Sequence, residues 1–162
     1  MQSIINELHN FFSVELTVIL TAMLPVIELR GAIPVGISLG LSPIHAAVLG
    51  FIGSMIPAPF ILFTVRPVFT YQRETRTFKK IVHGLTDRSM AKSGKIQKYG
   101  AWGLLVFVAI PLPGTGVWSG SLIAALLDMR IKWAFPAIFI GNLIAGILIM
   151  GLSNGVFMVI TG

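Results

Sequence analysis

Glu28 and Arg30 are the residues of this chain best equipped for chemistry, and they stand in PVIELRGAIP, Pro25 to Pro34, between apolar runs that predict membrane. An ionisable side chain inside a bilayer is costly, faces a cavity or a partner, and is by default a functional candidate. Residues two apart point to roughly opposite sides of an intact helix. Either the backbone therefore unwinds at Gly31 or one of the two charges serves a ligand. Arg30 stays protonated, and its planar fork matches phosphate or carboxylate, which predicts binding of an anionic head group by Arg30 and the open backbone at Gly31. A carboxyl group in low dielectric is readily held protonated, which suits Glu28 to proton coupling. The bland alternative is a structural ion pair, within the chain or to a neighbour; the cost of burying charge in lipid favours function.

A second cluster, Pro111-Leu112-Pro113-Gly114-Thr115-Gly116 with Ser119, carries no charge. Prolines and glycines free backbone groups there, and the exposed amides next to Thr115 and Ser119 form a candidate anion nest. Ordinary membrane kinks also use these residues, so this signal is the weaker of the two. Pro25, Pro34, Pro111 and Pro113 are the expected breakers of two hairpins. Glu15 reads as an interfacial acid or a gate, and His9, His45 and His83 are isolated, without metal-ligand or hydrolase spacing. No Walker-type loop and no cysteine occurs. We expect no metal, no cofactor and no enzymatic activity. Ser54 and Asn142 read as packing or path-lining polar residues, with packing favoured.

The elements that must position these groups follow from composition. The 162 residues are 55% hydrophobic and 11% charged, with a mean hydropathy of +0.88, against about a quarter charged in a soluble domain. This is the profile of an integral membrane protein. Met1 to Ser13 lacks Lys and Arg, so no cleaved signal peptide is expected and the mature chain is read as starting at Met1. The net charge of +6 comes from nine of the twelve basic residues lying between Arg66 and Lys98. That concentration is the positive-inside signature of a cytoplasmic loop, not of a nucleic-acid binder.

Ile44 to Val65 and Ile131 to Leu152 are long enough to span a bilayer. Pro57 and Pro59 should kink the first of them. Leu16 to Ile27, Ala32 to Leu41, Ala101 to Pro113 and Val117 to Leu127 reach only about half-way, as re-entrant or broken helices do. The first pair is expected to meet at Glu28 to Gly31 and the second at Pro111 to Gly116. Sliding the chain by 88 residues puts Pro25 on Pro113 and Phe51-Ile52-Gly53 on Phe139-Ile140-Gly141. Identity is weak, at about 10 of 49 positions, but the breakers coincide, which predicts an internal repeat. Arg130 and Lys132 return the second hairpin to the cytoplasmic side, so the two copies should lie inverted in the bilayer. The expected fold is an all-α membrane protein, a single membrane domain, with an inverted repeat of re-entrant hairpin plus transmembrane helix. Its parts are an interfacial helix over 1–14 (or the start of the first hairpin), repeat 1 over 15–65, a basic loop over 66–98 and repeat 2 over 99–153. Hairpin tips meeting at mid-membrane from opposite faces would shelter one site.

The stretches ELRGAIPVGISLG, FIGSMIPAP and IPLPGTGVWSGSLIAALL resemble the family named putative small multi-drug export proteins, over roughly Pro25 to Leu152. That family looks related to the DedA superfamily of prokaryotic membrane proteins. The resemblance implies two inverted re-entrant hairpins and proton-linked movement of lipid phosphates, with the acidic position of the first hairpin on Glu28. DedA members also carry arginines in the second hairpin region; this chain has none between Val106 and Leu127. Three functions compete: a proton-coupled carrier or flippase of an anionic amphiphile, an exporter of lipophilic cations, and a non-transporting scaffold whose basic loop recruits a partner. We expect a multi-pass protein of the prokaryotic inner membrane, in contact with lipids, assembled as a homodimer or larger, and without nucleic-acid partners.

Overall fold

Leu29, Ala32, Ile33, Gly36 and Ile37 are buried, and steps of three and four place them on one side of a helix. That helix, α2 (Glu28–Ser38), follows α1 (Gln2–Met23) and precedes α3 (Pro43–Met55), α4 (Pro57–Gln72), α5 (Ala101–Ala109), α6 (Val117–Leu126) and α7 (Ile131–Thr161). The structure is a computed structural model that describes residues 2–72, 99–112 and 114–161. Arg73 to Lys98, most of the expected basic loop, and the breaker Pro113 lie outside these residues. Among the described residues the fold is all-α. Two apolar stretches, Pro43–Val65 and Ile131–Val156, are long enough to cross a membrane. The kink expected from Pro57 and Pro59 appears as a bend at Ile56, with Pro57 opening α4.

Met1–Ile56 with Leu143–Gly162 form one compact unit and Pro57–Asn142 a second. In the first, α1, α2 and α3 pack on one another. Val18 and Ala22 of α1, the α2 stripe, Ala46 of α3 and Ala145 of α7 make its core. Lipid tails are as apolar as leucine, so cohesion here comes from close packing rather than from exclusion of water. Gly53 provides it: a Cβ there would lie 2.5 Å from the Ile19 carbonyl oxygen and 2.9 Å from the Ala22 Cβ. In the second unit α6 packs on α4 and α5, around Leu62, Leu104, Val108, Ile123 and Ile138. Gly141 acts there as Gly53 does, since its Cβ would lie 2.6 Å from the Leu105 carbonyl oxygen and 2.9 Å from the Val108 Cβ.

The turns that end α2 and α6 use the same hydrogen bonds. After α2, Gly40 N–H donates to Ile37 O and Leu41 N–H to Gly36 O, each at 3.0 Å. After α6, Asp128 N–H donates to Ala125 O at 3.2 Å and Met129 N–H to Ala124 O at 2.9 Å. Both are Schellman closures, which need a left-handed residue at the first position past the cap. Gly40 supplies it with φ 95° and Asp128 with φ 52°. The next helices, α3 and α7, begin three residues after these two positions. Ser42 caps α3, its hydroxyl accepting from His45 N–H at 3.3 Å, with Pro43 behind it in the first turn.

Two expectations about the first hairpin need correction. Its break lies at Leu24 to Ile27, one turn before Glu28–Gly31, because Pro25 sits in the turn and Glu28 already opens α2. Pro34 breaks nothing: it lies inside α2. A proline there forfeits one backbone bond and is exposed at the helix surface, where its ring disturbs no packing. The N-terminal stretch is continuous with the first limb, α1 running unbroken from Gln2 to Met23.

Candidate functional site

The chemistry-bearing turn is built by one unusual residue. Glu28 is buried, with 4% of its surface exposed, and its φ of 50° is left-handed. Such a backbone costs a residue with a bulky side chain about 1–3 kcal/mol and persists where its surroundings enforce it. The consequence is an ion pair: Arg30 Nη1 donates to Glu28 Oε2 at 2.8 Å. In regular helix, residues two apart diverge by about 200°, so the expectation that these charges could not neutralise each other held only for regular backbone. The left-handed residue turns the carboxylate round. Nor does the chain unwind at Gly31. Its amide bonds Ile27 O at 3.1 Å, and its missing side chain leaves the space that Ile27 Cγ2 fills. Both side chains are largely enclosed, Arg30 at 15% exposure and Glu28 at 6%.

The position 88 residues past Glu28 is Gly116, and its φ is also positive, at 150°. With ψ at −164° this is a different conformation from that of Glu28, an extended one at positive φ that glycine reaches and other residues do not. Beside it, Thr115 is buried and its hydroxyl lies 2.7 Å from Ile110 O and 2.8 Å from Leu112 O. That hydroxyl is committed to bracing its own turn, in which Leu112 N–H also donates to Ile110 O at 2.8 Å and Thr115 N–H to Leu112 O at 3.2 Å. Gly114 is exposed and Ser119 half-buried. No side chain caps the N-terminus of α6 at Gly116, so its first-turn amides point out of the helix end.

Two further features were not legible in the sequence. Glu15 of α1 and His45 of α3 meet at 2.9 Å, Nε2 to Oε1, both part-exposed; they are 30 residues apart, and nothing local marks them as partners. Ser121 Oγ is buried without a hydrogen-bond partner, although a serine in an apolar helix gives no warning of that. Ser54 and Asn142 are both buried, and Ser54 donates to Phe51 O at 3.0 Å, one turn back on its own helix. Among the described residues no three His, Asp or Glu side chains gather as metal ligands.

The turn at Glu28 is also where the chain begins to match known sequences: residues 28–148 fit the family model described as putative small multi-drug export protein. The chain belongs to that family. No curated protein matches it, and no solved structure does.

The family's description and the apolar helices together make this small multi-drug export family member a membrane protein associated with transport. The matched region takes in Glu28, Arg30, Gly31 and the whole turn from Pro111 to Ser119. Glu15 and the whole of α1 lie outside it.

Proposed function

We propose that the protein is a membrane transporter that holds the anionic group of an amphiphile on Arg30 and exchanges a proton at Glu28. One observation carries this reading: a buried carboxylate–guanidinium pair sits at the first turn of a short helix, held by a backbone conformation that the glutamate adopts at a cost. Structural ion pairs do not need a strained residue, and strain of this kind clusters at functional sites. Gly31 lets Ile27 pack closely beside Arg30. Gly114, Gly116 and Ser119 offer a second, uncharged turn, with Thr115 as its brace.

The architecture that goes with this function is an inverted repeat of re-entrant hairpins, with kinship to the DedA superfamily. Support comes from the turns: the Schellman bonds at Gly40 and Asp128 and the starts of α3 and α7 both recur at a spacing of 88 residues. In this reading the basic loop over 66–98 is cytoplasmic in a prokaryotic inner membrane, the protein works as a homodimer or larger among lipids, and it makes and breaks no covalent bond.

The second reading is export of lipophilic cations, favoured by the family's description. Glu28 would then bind the cation and Arg30 would be its resting partner. Purified protein in liposomes separates the two, assayed in parallel for lipid-phosphate flipping and for efflux of a quaternary phosphonium. Arg30→Ala should abolish lipid-phosphate movement. Phosphonium efflux that survives Arg30→Ala but not Glu28→Gln would give the second reading the field. If neither activity appears, a scaffold remains, which neutralising Arg73 to Lys98 should disable.

A further inference from the structure

The Glu28–Arg30 contact occupies the very groups that a proton and an anion would use. We propose that Glu28 is an internal competitor for the anion site on Arg30, so that a proton on Glu28 and a monoanion on Arg30 bind together and travel in the same direction. This rests on the reading of the turn as a transport site. It adds the coupling rule: symport, with one proton per negative charge.

Geometry makes the competition direct. A carboxylate oxygen 2.8 Å from Nη1 holds one of the guanidinium donors that a phosphate or carboxylate would use in a two-pronged contact. When a proton from solution forms an O–H bond on Glu28 Oε2, the charge-assisted contact to Nη1 is lost and the ligand oxygen takes its place. Titration is one-sided. A glutamate can be neutralised and an arginine cannot, so a proton can release Arg30 for an anion, while no proton movement releases Glu28 for a cation.

Charge conservation points the same way. The resting pair sums to zero, and so does protonated Glu28 with Arg30 and a bound monoanion. An anion alone, a proton alone or a cation alone changes the charge of the pair by one, among side chains that are 6% and 15% exposed, where a change of net charge is disfavoured. Apart from this pair, the helices packed around α2 carry Glu7, His9 and Glu15 on α1 and His45 on α3, of which Glu15 and His45 engage each other. The segment of α7 in this unit has no Asp, Glu, His, Lys or Arg.

The backbone links occupancy to shape. The contact exists because Glu28 is left-handed, while Glu28 N–H already bonds Leu24 O at 3.0 Å and Gly31 N–H bonds Ile27 O at 3.1 Å. Helix-type bonds thus flank one non-helical residue. Once the pair parts, Glu28 is free to return to helical backbone and carry the turn at Val26, which is 91% exposed, with it.

The test is equilibrium binding of a soluble short-chain phosphatidylglycerol, a monoanion throughout the range, to purified protein at about pH 8 and about pH 5.5, since protonation of Glu28 and anion binding on Arg30 are linked in this proposal. Wild type should bind about tenfold more tightly at the lower pH, and by reciprocity the lipid should draw about one proton from solution on binding. Glu28→Gln should bind at the higher pH as tightly as wild type does at the lower, without pH dependence. Glu28→Gly, which suits the left-handed backbone, should do the same if the glutamine variant folds poorly. A fluorophore on Val26→Cys, in a chain with no other cysteine, should report lipid binding in wild type and a pH-independent signal in Glu28→Gln. Arg30-dependent binding that Glu28→Gln weakens or leaves unchanged would overturn the inference alone. Absence of any binding that Arg30→Ala removes would overturn the anion-site reading itself, and the coupling with it.

Discussion

Glu28 is a glutamate in a glycine's conformation. The chain tolerates that at one end of the hairpin α1–α2. A position kept strained for its side chain should trade stability against function. Replacing a buried ion pair with apolar side chains is often neutral or stabilising, by about 1–4 kcal/mol. We therefore expect the double variant Glu28→Gly, Arg30→Leu to unfold at a higher temperature than wild type in detergent and to lose transport. A lower unfolding temperature would mean that the pair stabilises the turn outright. That these two residues are candidates for function was legible from their cost in lipid. Their pairing stood in the sequence only as the bland alternative, because it depends on a single φ that no residue pattern around a non-glycine residue specifies.

At the scale of elements, the helix limits followed from local chemistry. Ser42-Pro43 announces the start of α3, Gly40 the end of α2, and Pro57 the bend at Ile56. Pro34 misled, because a proline inside a short helix is cheap when its lost bond and its ring face outward. Asp128 gave no signal at all: aspartate tolerates the left-handed region, yet less well than glycine. The two Schellman turns therefore make a paired prediction. Gly40→Ala should destabilise the protein by about 1 kcal/mol and Asp128→Gly should stabilise it by somewhat less, since only the first introduces a Cβ at positive φ. Opposite shifts in thermal unfolding midpoint would bear this out; shifts of the same sign would mean that the turns differ in more than backbone. Close approach gives a larger effect. Gly53→Val would drive a branched side chain into the Ile19 backbone, and Gly141→Val into that of Leu105. Each should cost about 1–3 kcal/mol or more as overpacking does, read as loss of monodisperse protein on size exclusion.

At the scale of the whole molecule, the proposed inverted arrangement predicts which side of the membrane each connector meets. The absence of cysteine gives a clean background for labelling. A membrane-impermeant maleimide should reach Ser42→Cys in intact cells and Ser89→Cys only after permeabilisation. Labelling of both from the same side would remove the inversion, and with it the reason for placing the basic loop inside. The sequence by itself determined the all-helical apolar character, the two stretches long enough to span and, to within one turn, the place of the first break, because hydropathy, proline and glycine act locally. Only the tertiary structure decided that Glu28 faces Arg30, that Glu15 finds His45, and that Gly53 and Gly141 are contact points. These depend on a backbone angle enforced by packing and on distances between residues remote in the chain, neither of which a local pattern contains.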